Sequence, residues 1–233
     1  MKNIVLFGTL ILLLVFAQFA QAQTADDVVN KYIDALGGKA KLATLNSVRF
    51  SGNMSIQGND IAITITKLHM KGMRMDISVM GTENYQIITP GKGISFMPVQ
   101  GMASPTDMPE EQAKAAQSQL DIQSALLDYK DKGTSVELLG KEKVDGADHY
   151  KLKVTFKNGI SSTYYINADS YRLNKTVSKR TINGEEMEIE TSYSNYKQVD
   201  GFWFAFTNTS SVQGETNYDK IETNIPVDES IFK

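Results

Sequence analysis

From Ser47 onward the apolar positions of this chain recur with a period of two. Val48, Phe50, Met54 and Ile56 fall on one phase and Arg49, Ser51, Asn53 and Ser55 on the other, the pattern of a half-buried strand. After the turn residues Gly58-Asn59-Asp60, Ile61, Ile63 and Ile65 alternate with Ala62, Thr64 and Thr66. The apolar phase then moves to Leu68 and Met70, which predicts a bulge or a sharply coiled strand. Met73, Met75, Ile77 and Val79 make a third strand, and Glu83–Thr89 and Gly93–Met97 make two more, split at Pro90-Gly91. Alternation resumes at Ser135 and runs to Asn224, punctuated by Asp145-Gly146, Asn158-Gly159, Asn183-Gly184 and Asp200-Gly201. Asn-Gly and Asp-Gly between alternating runs are strong hairpin signals. Strands joined by such short turns pair antiparallel, because parallel neighbours need long crossovers. The inner face would be apolar, as at Tyr150, Leu152, Val154 and Phe156 and at Phe202, Phe204 and Phe206. The expected architecture is mainly β (α+β): a single curled antiparallel sheet of about 11–12 strands forming an incomplete β-barrel. A closed ligand barrel is the near competitor, and a helical insertion in mid-sheet favours the open form.

Two stretches carry the other period. Thr24 is a good cap, Asp26 and Asp27 suit a helix N-terminus, and Val28, Val29, Tyr32, Ile33 and Leu36 form one stripe, ended by Gly37-Gly38. Lys39–Leu45 reads as a short further helical turn. The second stretch, about 98–133, is the one long interruption of the strand pattern. A loop, Pro98 to Met108, leads to Asp107 as a cap, Pro109 in the first turn and Glu110 three residues after the cap. A helix over Glu111–Tyr129 is then predicted, stopping at Lys130-Asp131-Lys132-Gly133. Its apolar stripes are thin, so it would lie on the sheet as a cover and form no core alone. Residues 23–233 read as one domain with this lid inserted.

The first 22 residues change the setting. Lys2 precedes an almost wholly apolar run, Ile4 to Ala17, and Ala20-Gln21-Ala22 is a small-x-small cleavage site, so a cleaved signal peptide and a periplasmic location are expected. A membrane helix competes, but the run falls short of about 20 residues and lacks a basic flank. The chain has no cysteine, which excludes thiol chemistry and a lipidated N-terminal cysteine. Without Lys2 the formal net charge moves from −3 to −4 with no basic block, a poor match to nucleic acid.

Candidate chemistry is sparse. The two histidines, His69 and His149, have no cysteine or second histidine at metal-ligand spacing, and His149 shares the solvated phase of Lys151 and Lys153. Glu186, Glu188 and Glu190 alternate onto a polar face, and Gly91-Lys92-Gly93 lacks the strand-loop-helix setting of a phosphate loop. No cofactor, metal or catalytic residue is expected. Eight of the ten methionines lie between Met54 and Met108. Methionine fills ordinary cores, but it is also over-used where an apolar surface must adapt to varied partners.

Several stretches together resemble the LolA-like family of periplasmic lipoprotein carriers. Asp26–Leu45, "DDVVNKYIDALGGKAKLATL", is like the N-terminal helix of such proteins. Lys71-Gly72-Met73-Arg74-Met75 is similar to their basic strand start, and Thr89–Pro98, "TPGKGISFMP", to the segment before their lid. "YYINADSYRLNK" (Tyr164–Lys175), "QVDGFWF" (Gln198–Phe204) and "NIPVDESIFK" (Asn224–Lys233) are similar to later strands and the tail. The family's proline after the basic pair is absent here, and its aromatic residues before the lid are reduced to Phe96. The resemblance implies a hydrophobic cavity for acyl chains, lined by Phe50, Met54, Met73, Met75, Ile77, Val79, Phe96, Leu120, Ile122 and Leu126, with Arg74 as a lid contact. It implies acylated lipoproteins or lipids as partners, with an inner-membrane releasing complex and an outer-membrane acceptor, and a monomer. A non-transporting lipid or lipoprotein sensor on the same fold is the alternative reading.

Overall fold

The computed structural model describes residues 23–56, 58–182 and 185–233. The expected signal segment and the Asn183-Gly184 turn lie outside the described residues. Thirteen strands form one antiparallel sheet: β1 Ser47–Ile56, β2 Asn59–Leu68, β3 Gly72–Val79, β4 Thr82–Thr89, β5 Lys92–Phe96, β6 Thr106–Asp107, β7 Ser135–Val144, β8 Ala147–Thr155, β9 Ser161–Asn167, β10 Leu173–Ile182, β11 Glu185–Val199, β12 Phe202–Ser210 and β13 Gly214–Thr223. The strand beyond the expected twelve is β6, two residues of the supposed loop that pair with Ile94 and Ser95.

The order is β6-β5-β4-β3-β2-β1-β13-β12-β11-β10-β9-β8-β7, so the first and last strands meet in the middle and the sheet stays open at β6 and β7. Every other neighbour is also consecutive in sequence, as hairpin turns dictate. The expected bulge in β2 is absent. Ser47↔Leu68 to Ile56↔Asn59 is an unbroken register, and β2 simply ends, with Met70 in the turn that follows at φ 56°. Residues 61, 63, 65 and 67 therefore keep one phase throughout, which turns Lys67 to the inner, concave face. The break in β1 comes instead against β13 at Ser51/Gly52, where a Cβ on Gly52 would stand 2.0 Å from the Asn217 carbonyl oxygen.

Helix α1, Ala25–Ala35, starts on a Thr24/Asp27 capping box and buries Val28, Val29, Tyr32 and Ile33; α2 is Lys39–Leu42. The predicted long helix is mostly not formed. Helix α3 covers only Glu110–Ala116, and a 3₁₀ turn, Gln117–Leu120, continues it. Its N-cap is Pro109 without a side-chain cap, and Asp107 is taken by β6. Beyond Leu120 the chain breaks into turns, with Ser124 at φ 88° and Asp128 at φ 48°. The physical reason is local side-chain capture. The Asp121 carboxylate accepts the Gln123 N–H and the Lys132 ammonium, and the Ser124 hydroxyl accepts the Leu126 N–H, bonds that compete with helical ones. The turns place the consecutive residues Leu126 and Leu127 together in the core, which one helical stripe would not do.

That core joins α1, residues 126–129 and the inner face of β8, β9 and β12: Leu126, Leu152, Val154, Ile166 and Phe202 are each 1% exposed or less. A second cluster of Val48, Phe206 and Ile221, backed by Phe50 and Phe204, fills the sheet's centre. The C-terminal turn Glu229–Phe232 packs on the outer face against β3 and β4, with the Phe232 ring over Gly72. His149, expected in solvent, is buried at 1% exposure with its Nδ1 on the Ala147 carbonyl. Because Leu126 is sealed in the main core, Leu126→Ala is expected to lower unfolding free energy by about 2–5 kcal/mol in urea denaturation.

Candidate functional site

The concave face is filled at one end and open at the other. Under α3 and the Gln117–Leu120 turn lies a cavity of about 610 Å³, inside the roughly 300–1,000 Å³ typical of small-molecule sites. Its two walls differ. The β1–β4 side is mostly apolar, presenting Met54, Ile63, Ile65, Met73, Met75 and Ile88 beside Gln86 and Lys67, with Met108 leaning in from the cover. The β9–β13 side is mixed: hydroxyls of Ser162, Tyr164, Thr176, Ser178, Thr191, Tyr193, Ser210, Thr216 and Tyr218 and the amides of Asn208 and Gln213 stand among Phe156, Ile189 and Val212. Part of that wall is internally bonded, Thr176 to Tyr193 at 3.3 Å and the Asn208 amide to Tyr218 at 3.5 Å, while the buried Oδ1 of Asn208 has no partner. Desolvation pushes the Tyr193 phenol up, and the Tyr218 phenol up to about 12.

The cover is held by a few polar clasps. Gln117 accepts the Gly91 N–H at 2.9 Å and donates to the Thr89 carbonyl at 3.3 Å, gripping the β4–β5 turn. Asn158 donates to the Lys114 carbonyl at 3.0 Å and the Met70 N–H to the Leu120 carbonyl at 2.9 Å. Apolar contact is thinner: Leu120 packs on Met73 and Ile88, with Met108 and Ala116 beside them. The continuation, residues 121–133, is anchored differently. Lys39 pairs with Asp128 at 2.5 Å, Lys130 with Asp26 at 2.6 Å, and the Tyr129 hydroxyl also bonds Asp26.

The expected cavity residues divide accordingly. Met54, Met73 and Met75 line the open space, and Leu120 lies buried in the cluster that closes it against the cover. Ile77 and Val79 share the inward phase further along β3, half-buried and outside the cavity lining. Phe50 packs on Phe204 and Tyr218 in the central cluster, Ile122 bridges the central and main clusters, and Leu126 is sealed in the main core. Two placements correct the expectation outright. Phe96 pairs with Tyr85, whose phase is opposite to the cavity residues Gln86 and Ile88, so both rings stand on the outer face 5.3 Å apart. Arg74 is also outside: it stacks on Tyr85 at 4.4 Å, pairs with Asp76 at 2.7 Å and donates to the Ile231 carbonyl at 3.3 Å. The period of two explains both, since each lies one residue out of phase with the inward methionines.

The cation that does reach the covering segment is Lys67. It lines the cavity, and its Nζ lies 3.5 Å from the Gln119 carbonyl. It stands half-buried between sheet and cover with its surface toward the cavity's open space, and desolvation pushes its ammonium down to about 8. Also missed were Ile63, Ile65 and the hydroxyl wall. Ile63 and Ile65 were legible by phase; the hydroxyl positions were not, because strands such as Lys175–Lys179 are polar on both faces. Among the described residues no group of three or more His, Cys, Asp or Glu could hold a metal ion, and no helix is long and apolar enough to cross a membrane.

An open antiparallel half-barrel whose concave cavity is roofed by the chain between its two free edges defines a structural class, and three solved structures share it. A LolA superfamily protein from Nitrosomonas europaea matches with a TM-score of 0.57 at 14% identity, over 91% of this chain and 98% of that one. A DUF1329 family protein from Desulfovibrio piger gives 0.57, 14%, 91% and 98%. A putative outer membrane lipoprotein-sorting protein domain from Vibrio parahaemolyticus gives 0.53 at 16%, over 88% and 94%. No protein-family model and no curated protein matches the sequence. The chain has the LolA-like fold.

The lysine gives a pH signature. Its folded-state pKa lies below the ordinary value of 10.5, so the unfolded chain binds the extra proton between about 8 and about 10.5. Relative to Lys67→Met, the parent should therefore gain stability as pH rises through that window and hold a constant difference below pH 8. Paired urea titrations from pH 7 to 10.5 check this, and the tyrosines, common to both proteins, cancel in the difference.

Proposed function

We propose that this protein binds acyl chains in the cavity beneath α3 and carries them through water, acting as a periplasmic lipoprotein or lipid carrier. The observation that supports the reading is the open cavity itself, with its methionine-rich wall. Burying an alkyl chain gains about 0.8 kcal/mol per CH₂, and flexible thioethers fit chains of varied shape. A sealed core would place Leu, Ile or Val at these positions, whose rotamers are better defined. The cover suits reversible entry, because it sits on the sheet through a few polar bonds and one small apolar cluster. Residues 121–133 are fixed to α1 and the core and serve as its hinge-side anchor. In this reading the protein handles its ligand without covalent chemistry, and its cargo is an acyl chain borne by a lipoprotein or a lipid, a class that the likeness to a lipoprotein-sorting domain supports.

Two measurements test it. Ile63→Asp, which sets a carboxylate on the apolar wall, should weaken binding of a fluorescent C16 lipid at least tenfold, with the cooperative unfolding transition retained. Gln117→Ala removes both clasps on the β4–β5 turn, roughly 1–2 kcal/mol of cover closure. Stopped-flow release of the same lipid should speed up about tenfold. Failure of the parent protein to bind any C16 lipid would end the proposal.

A further inference from the structure

Lys67 is the one charged side chain among the described residues lining the cavity. No carboxylate lies within 4.0 Å of its Nζ among the described residues, and it makes a long polar contact, 3.5 Å, to the Gln119 carbonyl. Its place in the sheet is fixed. Val48 and Met73 flank it in register, and Ile65 precedes it on the same face. The amine thus stands at the covered end of an apolar track that runs along β2 to the level of Met54, about 20 Å away at 3.3 Å per residue. An enclosed cation without a countercharge is unfavourable, and methionine or leucine would continue the Ile61/Ile63/Ile65 pattern without that penalty.

We propose that Lys67 is the head-group anchor of the cavity, and that the preferred ligand is an amphiphile with an anionic carboxylate or phosphate head on an alkyl chain. The inference rests on the reading that the cavity takes alkyl chains and adds the chemistry of the head. At neutral pH the amine, though pushed down to about 8, is still protonated. It supplies the countercharge, and a charge-assisted bond is about twice as strong as a neutral one. The tail lies along Ile65, Ile63 and Met75 toward Met54, with the head beneath the Gln117–Leu120 turn. An acyl chain held in ester or amide linkage, as on an acylated lipoprotein, brings no charge to this point and leaves the lysine unpaired, so of the two cargo classes proposed above this inference selects the free amphiphilic lipid.

Isothermal titration of the delipidated protein with palmitate, hexadecyl phosphate, methyl palmitate and inorganic phosphate decides the matter. Palmitate and hexadecyl phosphate should bind at least tenfold more tightly than methyl palmitate, and inorganic phosphate should not bind. Lys67→Met and Lys67→Gln, both checked for an intact thermal transition, should reduce that preference to less than twofold, whereas Lys67→Arg keeps it. Equal binding of palmitate and methyl palmitate, or a preference that survives in Lys67→Met and Lys67→Gln, overturns the head-group assignment and leaves the alkyl cavity standing. Binding of inorganic phosphate as tight as hexadecyl phosphate overturns the amphiphile in favour of a free-anion site. No binding of any C16 compound overturns the cavity reading and this inference together.

Discussion

The two free edges of the sheet impose the constraint from which the rest follows. Because β1 pairs with β13, the chain builds outward from the centre to β6 and must then restart at the opposite edge with β7. The connection, residues 108–134, has to cross the concave face. A curled antiparallel sheet with one apolar face needs cover on that side, and here the topology delivers it covalently. The edges themselves stay benign: β6 is two residues long, and β7 carries Glu137, Lys141, Glu142 and Lys143.

How that crossing is used depends on the size of the side chains beneath it. Where the inward positions are Phe202, Phe204, Phe206, Leu152 and Ile166, they meet α1, Leu126 and Leu127 and leave no room. Toward the β12–β13 turn the inward positions become Ser178, Thr191, Ser210 and Thr216, which are too short to meet the opposite wall. The same chain segment is therefore a core element for its second half and a roof for its first. The switch falls at Asp121, where backbone and lysine bonds to one carboxylate end the helical run.

Much of this was legible in the sequence, and the misses have physical causes. Period-two alternation with Asn-Gly and Asp-Gly turns gave the open antiparallel sheet, and Thr24 with Asp27 gave α1. Helix propensity failed over residues 121–129, since Leu126, Leu127 and Tyr129 gain more by entering a core that only the fold creates. Phe96 and Arg74 went to the wrong face because the resemblance, and not the alternation, placed them; counting from Met73 and Met75 puts both outside. The shift of apolar phase after Ile65 suggests a bulge or a sharply coiled strand. An inward lysine followed by the end of the strand accounts for the same residues without any break in register.

That lysine shows what the cavity sacrifices. Filling the open end with larger apolar side chains, and replacing Lys67 with one of them, would remove a void and an uncompensated cation, two of the commonest sources of lost stability. Elsewhere many elements are locally consistent, with capped α1, matched hairpin turns and surface ion pairs such as Lys151–Glu142 and Lys179–Glu186. Departures from local consistency concentrate where a structure serves function. Several such departures among the described residues face one space, namely short inward hydroxyls, the unpartnered Asn208 oxygen and the Lys67 ammonium, while the unpartnered nitrogens of His69, His149 and Arg172 lie outside the cavity lining. The cavity sets a largely apolar wall opposite a mixed one of hydroxyls, amides and apolar side chains, with Lys67 at its covered end, a lining whose polar groups a sealed apolar core would not hold.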